Sequence, residues 1–173
     1  MRIAVLAGAM CLFGFGAQAA EIVVIMHSIT ENGVRDQLGV VELRDSADGL
    51  QIRTSLSKLP PGSRGFHVHE NPSCSPGMQD GKPVAGLGAG GHYDPGRTGK
   101  HLGPHGAGHL GDLPALMVDA NGQARTNITV KRLSVDALRG RSLMIHAGGD
   151  SYNEPPALGG GGARIACAVI PPK

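Results

Sequence analysis

Six of the chain's eight histidines fall between His67 and His109, and clustering of that kind points to metal binding before other chemistry. In Phe66-His67-Val68-His69-Glu70 the two histidines are two residues apart. On a strand that spacing turns both imidazoles to one face, which makes a half-site for copper or zinc. His146 ends a second apolar strand pattern, Leu143-Met144-Ile145-His146. An imidazole in a buried strand needs a partner, and three strand-borne histidines suggest a shared metal. A further group lies in Lys100–Asp112, where His101, His105 and His109 recur every four residues. A helix would align them, but Gly103, Pro104, Gly106 and Gly108 oppose one. The histidines must be gathered by a looped chain, and three imidazoles with the Asp112 carboxylate suit a closed, structural zinc site. His92 stands ahead of them in Gly90-Gly91-His92-Tyr93-Asp94-Pro95.

Short strands are the elements available to position these residues. Glu21–His27, Leu38–Arg44, Gly49–Ser55, Gly65–Glu70, Ala115–Asp119, Gln123–Arg132, Ser142–His146 and Ala163–Ile170 all read as strands. Ser46-Ala47-Asp48-Gly49 marks a turn, and Asn121-Gly122 is a strong hairpin signal. No segment of ten or more residues carries a clean helical stripe. Some eight strands with this punctuation predict an all-β sandwich or barrel. Two long loops interrupt the rhythm, Asn71–Pro114 and Ala147–Gly162, and they hold 18 of the 28 glycines. Loops of that length in a small domain are usually functional.

The chain has 173 residues, room for one domain or two small ones. Its formal net charge is +2, and it has 2 Tyr, 3 Phe and no Trp. That balance offers neither the clustered positive charge nor the stacking aromatics of a nucleic-acid binder. The start, from Met1-Arg2 through an apolar stretch to Ala17-Gln18-Ala19, has the pattern of a secretory signal peptide. We therefore expect residues 1–19 to be removed, residues 20–173 to form the domain, and no membrane association after cleavage. Export to an oxidising compartment makes Cys74 and Cys167 an expected disulfide, with thiolate metal ligation as the competing reading.

Five motifs, in order, resemble those of the copper/zinc superoxide dismutases, in particular the exported bacterial branch. They are Gly65-Phe66-His67-Val68-His69-Glu70, Gly-Gly-His92-Tyr-Asp-Pro, Gly-His109-Leu-Gly-Asp112-Leu-Pro, Ile145-His146-Ala-Gly-Gly-Asp150 and Gly-Gly-Gly-Gly-Ala-Arg164-Ile-Ala-Cys167. The resemblance implies an eight-stranded Greek-key β-barrel or sandwich, immunoglobulin-like, with two long functional loops. It implies copper on His67, His69, His92 and His146, and zinc on His101, His109, Asp112 and the bridging His92. Asp150 would link a copper-ligand histidine to a zinc-ligand histidine. Cys74–Cys167 would be the family disulfide. Arg164 would attract and orient superoxide, and His92 would supply a proton to the outgoing peroxide. The implied activity converts superoxide to dioxygen and hydrogen peroxide by Cu(II)/Cu(I) cycling. The alternative is a non-enzymatic exported copper/zinc-binding protein on the same fold. The expected location is the periplasm. Bacterial members occur as monomers and dimers, so a homodimer is left open. His105 is expected to be exposed, and His27 carries no motif.

Overall fold

The computed structural model describes residues 19–173. Nearly all of the expected signal peptide, residues 1–19, lies outside the described residues. The strands are β1 (Glu21–Thr30), β2 (Gly33–Ser46), β3 (Gly49–Leu56), β4 (Gly62–Arg64), β5 (Phe66–His69), β6 (Gly77–Gln79), β7 (Lys82–Val84), β8 (Leu116–Val118), β9 (Ala124–Val130), β10 (Arg141–His146) and β11 (Arg164–Ile170). A one-turn helix, α1 (Val135–Leu138), precedes β10.

Period-two alternation explains why these segments are strands. In β1, Val24 and Met26 are buried while Val23 and Ile25 face outward; in β3, Leu50, Ile52, Thr54 and Leu56 all point inward. The one polar member of that inward row is satisfied, because Thr54 Oγ1 donates to the Ala124 carbonyl at 2.9 Å. Seven strands form one antiparallel sheet in the order β5-β10-β11-β1-β2-β3-β9. The sheet curls toward closure through the β4–β8 pair. β8 runs into β9 through a tight turn in which Asp119 N–H donates to the Gln123 carbonyl, and only Gly65 separates β4 from β5. Counting β4 and β5 as one interrupted strand, and setting aside the separate β6–β7 hairpin, gives the eight-stranded, all-β barrel expected from the sequence.

Gly65 explains the interruption. A Cβ there would lie 3.1 Å from His67 Cε1 and 3.4 Å from His146 Cβ. The glycine lets the β4–β5 backbone pass directly beneath two of the candidate ligands.

The main core fills the barrel and includes Leu43, Ile52, Phe66, Val68, Leu143, Ile145 and Ile170. A second cluster of Ile29, Cys74, Ala89, Met144 and Cys167 lies under the first long loop. There the expected disulfide Cys74–Cys167 is formed, with the two Cα atoms 5.7 Å apart. The thiolate-ligand alternative for these cysteines is thereby excluded.

All eight expected strands are present. The first of the two expected long loops also holds the β6–β7 hairpin and a 3-10 turn at Leu87–Ala89. The helix α1 was not anticipated; at one turn it is too short to show periodicity. Its signal is the capping Ser134, whose Oγ accepts from the Ala137 N–H at 3.3 Å.

Candidate metal centre

Phe66 and Val68 belong to the core, so the alternate residues His67 and His69 stand on the outer face of β5. The pairing of β5 with β10 places Met144 opposite His67 and Ser142 opposite His69, which puts His146 on the same face at the strand end. The first long loop is then fastened to β5 from both sides. Val68 N–H donates to the Gly111 carbonyl at 2.9 Å, and Tyr93 N–H donates to the Val68 carbonyl at 2.8 Å. These two bonds bring His92 and Asp112 against His67 and His69, forming isolated bridges His69–His92 and His67–Asp112.

His67, His69, His92, His101, His109, Asp112 and His146 are all buried. Two groups of donor atoms result: His67, His69, His92 and His146 form one, and His67, His92, His101 and Asp112 the other. His109 stands slightly outside the second group, its Nδ1 3.5 Å from Asp112 Oδ1. His105 is exposed on the surface, so the set of three evenly spaced loop histidines resolves to His101 and His109. His27 is half-buried in β1, opposite Cys167, away from both groups.

The hydrogen bonds sort the ring nitrogens into those already held and those left over. His67 Nε2 bonds Asp150 Oδ2 at 2.7 Å, and His101 Nε2 bonds Asp150 Oδ1 at 2.8 Å. His69 Nδ1 is held by the Gly90 carbonyl at 3.0 Å and His146 Nδ1 by the Gly162 carbonyl at 3.1 Å. The nitrogens that make no hydrogen bond are His67 Nδ1, His92 Nε2, His101 Nδ1 and His109 Nδ1, the last two lying 3.2 and 3.5 Å from the Asp112 carboxylate. His69 Nε2 and His146 Nε2 face only each other, at 3.4 Å. Buried polar atoms are rarely left without partners, so an inward row of orphaned imidazole nitrogens is the signature of a cation site. The set fits copper on one side, with four nitrogens, and zinc on the other, with imidazoles and a carboxylate. His92 belongs to both groups, its Nδ1 2.9 Å from Asp112 Oδ1 and its Nε2 without a hydrogen-bond partner.

Asp150 ties the halves together. Burial raises its carboxyl, but bonds from His67, His101 and the Tyr152 N–H outweigh that and hold it well below the ordinary carboxylate range. It is therefore a fixed anion orienting one ring of each group. The backbone must come very close for this: a Cβ on Gly159, at φ 66°, would collide with Asp150 Oδ1 and His101 Nε2. Tyr152 was not anticipated, yet its hydroxyl accepts from the Ala115 N–H at 2.9 Å and so joins the two long loops. The carbonyls of Gly90 and Gly162, which orient two rings, had no signal in the sequence, since any residue has a carbonyl.

Arg164 opens β11 beside this cluster. Its Nη1 donates to the Gly86 carbonyl at 2.6 Å and its Nη2 to the Gly90 carbonyl at 2.7 Å. The guanidinium is thus fixed, half-buried, to the loop whose Gly90 carbonyl also holds His69.

Three of the imidazoles, those of His69, His92 and His146, are kept neutral, as metal ligation requires. Burial, with lesser repulsion from neighbouring histidines and Arg164, pushes His146 down to about 3 and His69 well below its ordinary value. Burial also takes His92 to about 4, despite the opposing bond to Asp112. The sign of the resulting pH dependence is fixed. Unfolded imidazoles protonate near about 6.5, whereas the folded ones resist protons until about 3 to 4. Across that window the unfolded state binds more protons, so stability falls as pH falls. The metal-free protein should show a steadily lower urea midpoint from pH 7.5 to pH 5; a flat profile would contradict the buried, neutral cluster.

Comparison with known proteins agrees with this geometry. The family model for copper/zinc superoxide dismutase (SODC) matches residues 37–170. "Superoxide dismutase [Cu-Zn]" of Brucella abortus is 47% identical over 172 residues, covering 98% of this chain and 99% of that protein. The Escherichia coli K12 protein of the same name is 49% identical over 157 residues, covering 90% and 91%. Among solved structures, the Brucella abortus Cu/Zn superoxide dismutase superposes with a TM-score of 0.85 at 48% identity, covering 87% of this chain and 99% of that one. The monomeric copper, zinc superoxide dismutase from Salmonella enterica gives 0.78 at 48% identity with the same coverage. The match to the family model and the near-complete coverage of these relatives place the chain in the copper/zinc superoxide dismutase family.

Proposed function

We propose that the chain is an exported superoxide dismutase whose site is built by His67, His69, His92 and His146 for copper and by His92, His101, His109 and Asp112 for zinc. The observation that carries this reading is the inward row of unpartnered imidazole nitrogens. When bound, copper would supply a one-electron Cu(II)/Cu(I) couple for converting two superoxide ions and two protons to dioxygen and hydrogen peroxide, while zinc would have no redox part.

The protein's own contributions follow from its residues. Arg164 presents a permanent cation on a fixed mount, which draws in the small anion and orients it. With Nδ1 given to the zinc half, His92 Nε2, which has no hydrogen-bond partner, would carry the single proton of a neutral imidazole and pass it to the departing peroxide. His92 Nδ1 stays beside Asp112, so the ring keeps its orientation through that exchange. Asp150 holds the outer rings, and the carbonyls of Gly90 and Gly162 hold the other two.

Every donor comes from one chain, so the activity needs no partner copy. A homodimer would add to the assembly without completing the site. Export rests on the Met1–Ala19 pattern, with the periplasm as destination, and the Cys74–Cys167 disulfide is in keeping with an oxidising compartment.

Replacing Arg164 with Ala should lower the second-order rate by about tenfold or more and flatten its decline with ionic strength, since steering of this kind contributes about 10- to 1000-fold. Arg164→Lys should recover part of the rate because it keeps the charge. Stopped-flow superoxide decay at several salt concentrations, on protein of verified copper content, makes the test. An unchanged rate and salt slope in Arg164→Ala would remove Arg164 from the site.

A further inference from the structure

Residues 101–111 carry two candidate zinc ligands, yet no strand or helix runs through them. Something outside this glycine-rich stretch must hold it. Arg132, two residues beyond β9, supplies three bonds to its backbone. Its Nη1 donates to the Gly106 carbonyl at 2.6 Å, and its Nη2 donates to the carbonyls of Gly103 at 3.1 Å and His109 at 2.9 Å. Its Nε is buried with no partner, so the loop carbonyls receive every hydrogen bond it makes.

The three carbonyls are not arbitrary. Gly103, at φ 70°, donates its own N–H to Asp112 Oδ2 at 3.2 Å, so its two peptide groups connect Arg132 with a zinc-half carboxylate. His109 gives its carbonyl to Arg132 while its ring Nδ1 lies 3.5 Å from Asp112 Oδ1. One planar guanidinium therefore sets both ends of the turn between His101 and His109, a task for a rigid fork and not for a point charge. The mount is firm. Val130 and Leu133, on either side of Arg132, are buried in the barrel core, and the Val135 N–H is tied to Asp45 Oδ1 at 2.8 Å.

We propose that Arg132 is a positioning residue for the zinc half, holding residues 103–109 in their metal-ready shape before metal arrives. This rests on the assignment of His101, His109 and Asp112 to zinc. Ordering a glycine-rich loop at the moment of binding would weaken affinity, and a clamp in the metal-free state removes that cost.

The test compares wild type, Arg132→Ala and Arg132→Lys in the full, disulfide-bonded protein. Zinc affinity is read by chelator competition, site geometry by the visible absorption of cobalt(II) in the zinc half, and loop order by hydrogen exchange of the metal-free protein. Arg132→Ala should weaken zinc binding by about 10- to 100-fold, as loss of other supports of metal ligands does. Arg132→Lys should fall between the two, and added free guanidinium ion should restore part of the loss in Arg132→Ala. Exchange should quicken at the amides of residues 106–109 while β10 stays protected, and copper affinity should be unchanged. A folded Arg132→Ala protein with wild-type zinc affinity and wild-type exchange would overturn the proposal. So would copper and zinc affinity falling together, or failure of both variants to fold, since the role would then be general stability. If wild type itself fails to take cobalt(II) with a tetrahedral spectrum, the zinc assignment falls and the proposal with it.

Discussion

His146→Ala is expected to bring superoxide decay down to the level of buffer while leaving the barrel folded. His146 sits at the end of β10, where its Nε2 faces His69 Nε2 at 3.4 Å and its Nδ1 is fixed by the Gly162 carbonyl. Under the proposed assignment, truncation removes one of four nitrogens from the copper half and leaves the zinc donors His92, His101, His109 and Asp112 in place. Loss of an outer support of a metal ligand typically costs about 10- to 100-fold in affinity or activity, and loss of the ligand itself should cost more. Copper content, zinc content and decay rate measured on the same sample separate the outcomes. Retained zinc with lost copper and lost activity is the expected pattern. A variant that keeps copper and rate would exclude His146 from the site. The barrel should tolerate the change, because His146 lies on the outer face, opposite the core residues Leu143 and Ile145.

The second large effect concerns stability. Cys74→Ser, or reduction of the disulfide, should lower the unfolding free energy by about 4 kcal/mol, because the bond closes a loop spanning 93 residues and constrains the unfolded chain. The consequence extends to the site. Cys74 packs with Cys167 and Met144 beneath the loop whose Gly86 and Gly90 carbonyls hold Arg164, and Gly90 also holds His69. Losing the bond removes the covalent tie between that loop and β11 and leaves the Arg164 hydrogen bonds to hold it, so activity should fall at temperatures where the barrel is still folded. Urea unfolding of the metal-free protein, oxidised and variant, measures the first effect. A difference under about 1 kcal/mol would show that the cross-link adds little beyond packing.

How far the sequence reveals this molecule depends on the range of each interaction. Alternation along Phe66–His69 puts two histidines on one face, and the structure agrees because a strand's side-chain period is local. Asn121-Gly122 announces the β8–β9 turn for the same reason. The break at Gly65 is not visible, since it answers to His67 and His146 packed above it. The short β6–β7 hairpin is hidden by Gly and Pro in a segment that reads as loop. The even spacing of His101, His105 and His109 misleads on its own: Gly103 at φ 70°, with backbone packed closely against Gly106 and Gly108, folds the loop so that two of the three turn inward and His105 is left outside. Which nitrogen of each ring is free depends on backbone carbonyls at Gly90 and Gly162 and on Asp150, all distant in sequence. Arg132 and Tyr152 act through such contacts too, and neither belongs to a motif.

The most direct measurement is superoxide decay followed in solution over one preparation of the mature, disulfide-bonded protein, metal-free, loaded with zinc alone, and loaded with copper and zinc. We predict buffer-level decay for the first two and rapid, catalytic decay for the third. A fully copper- and zinc-loaded, folded protein that clears superoxide no faster than buffer would contradict the account and leave a metal-binding protein on this scaffold.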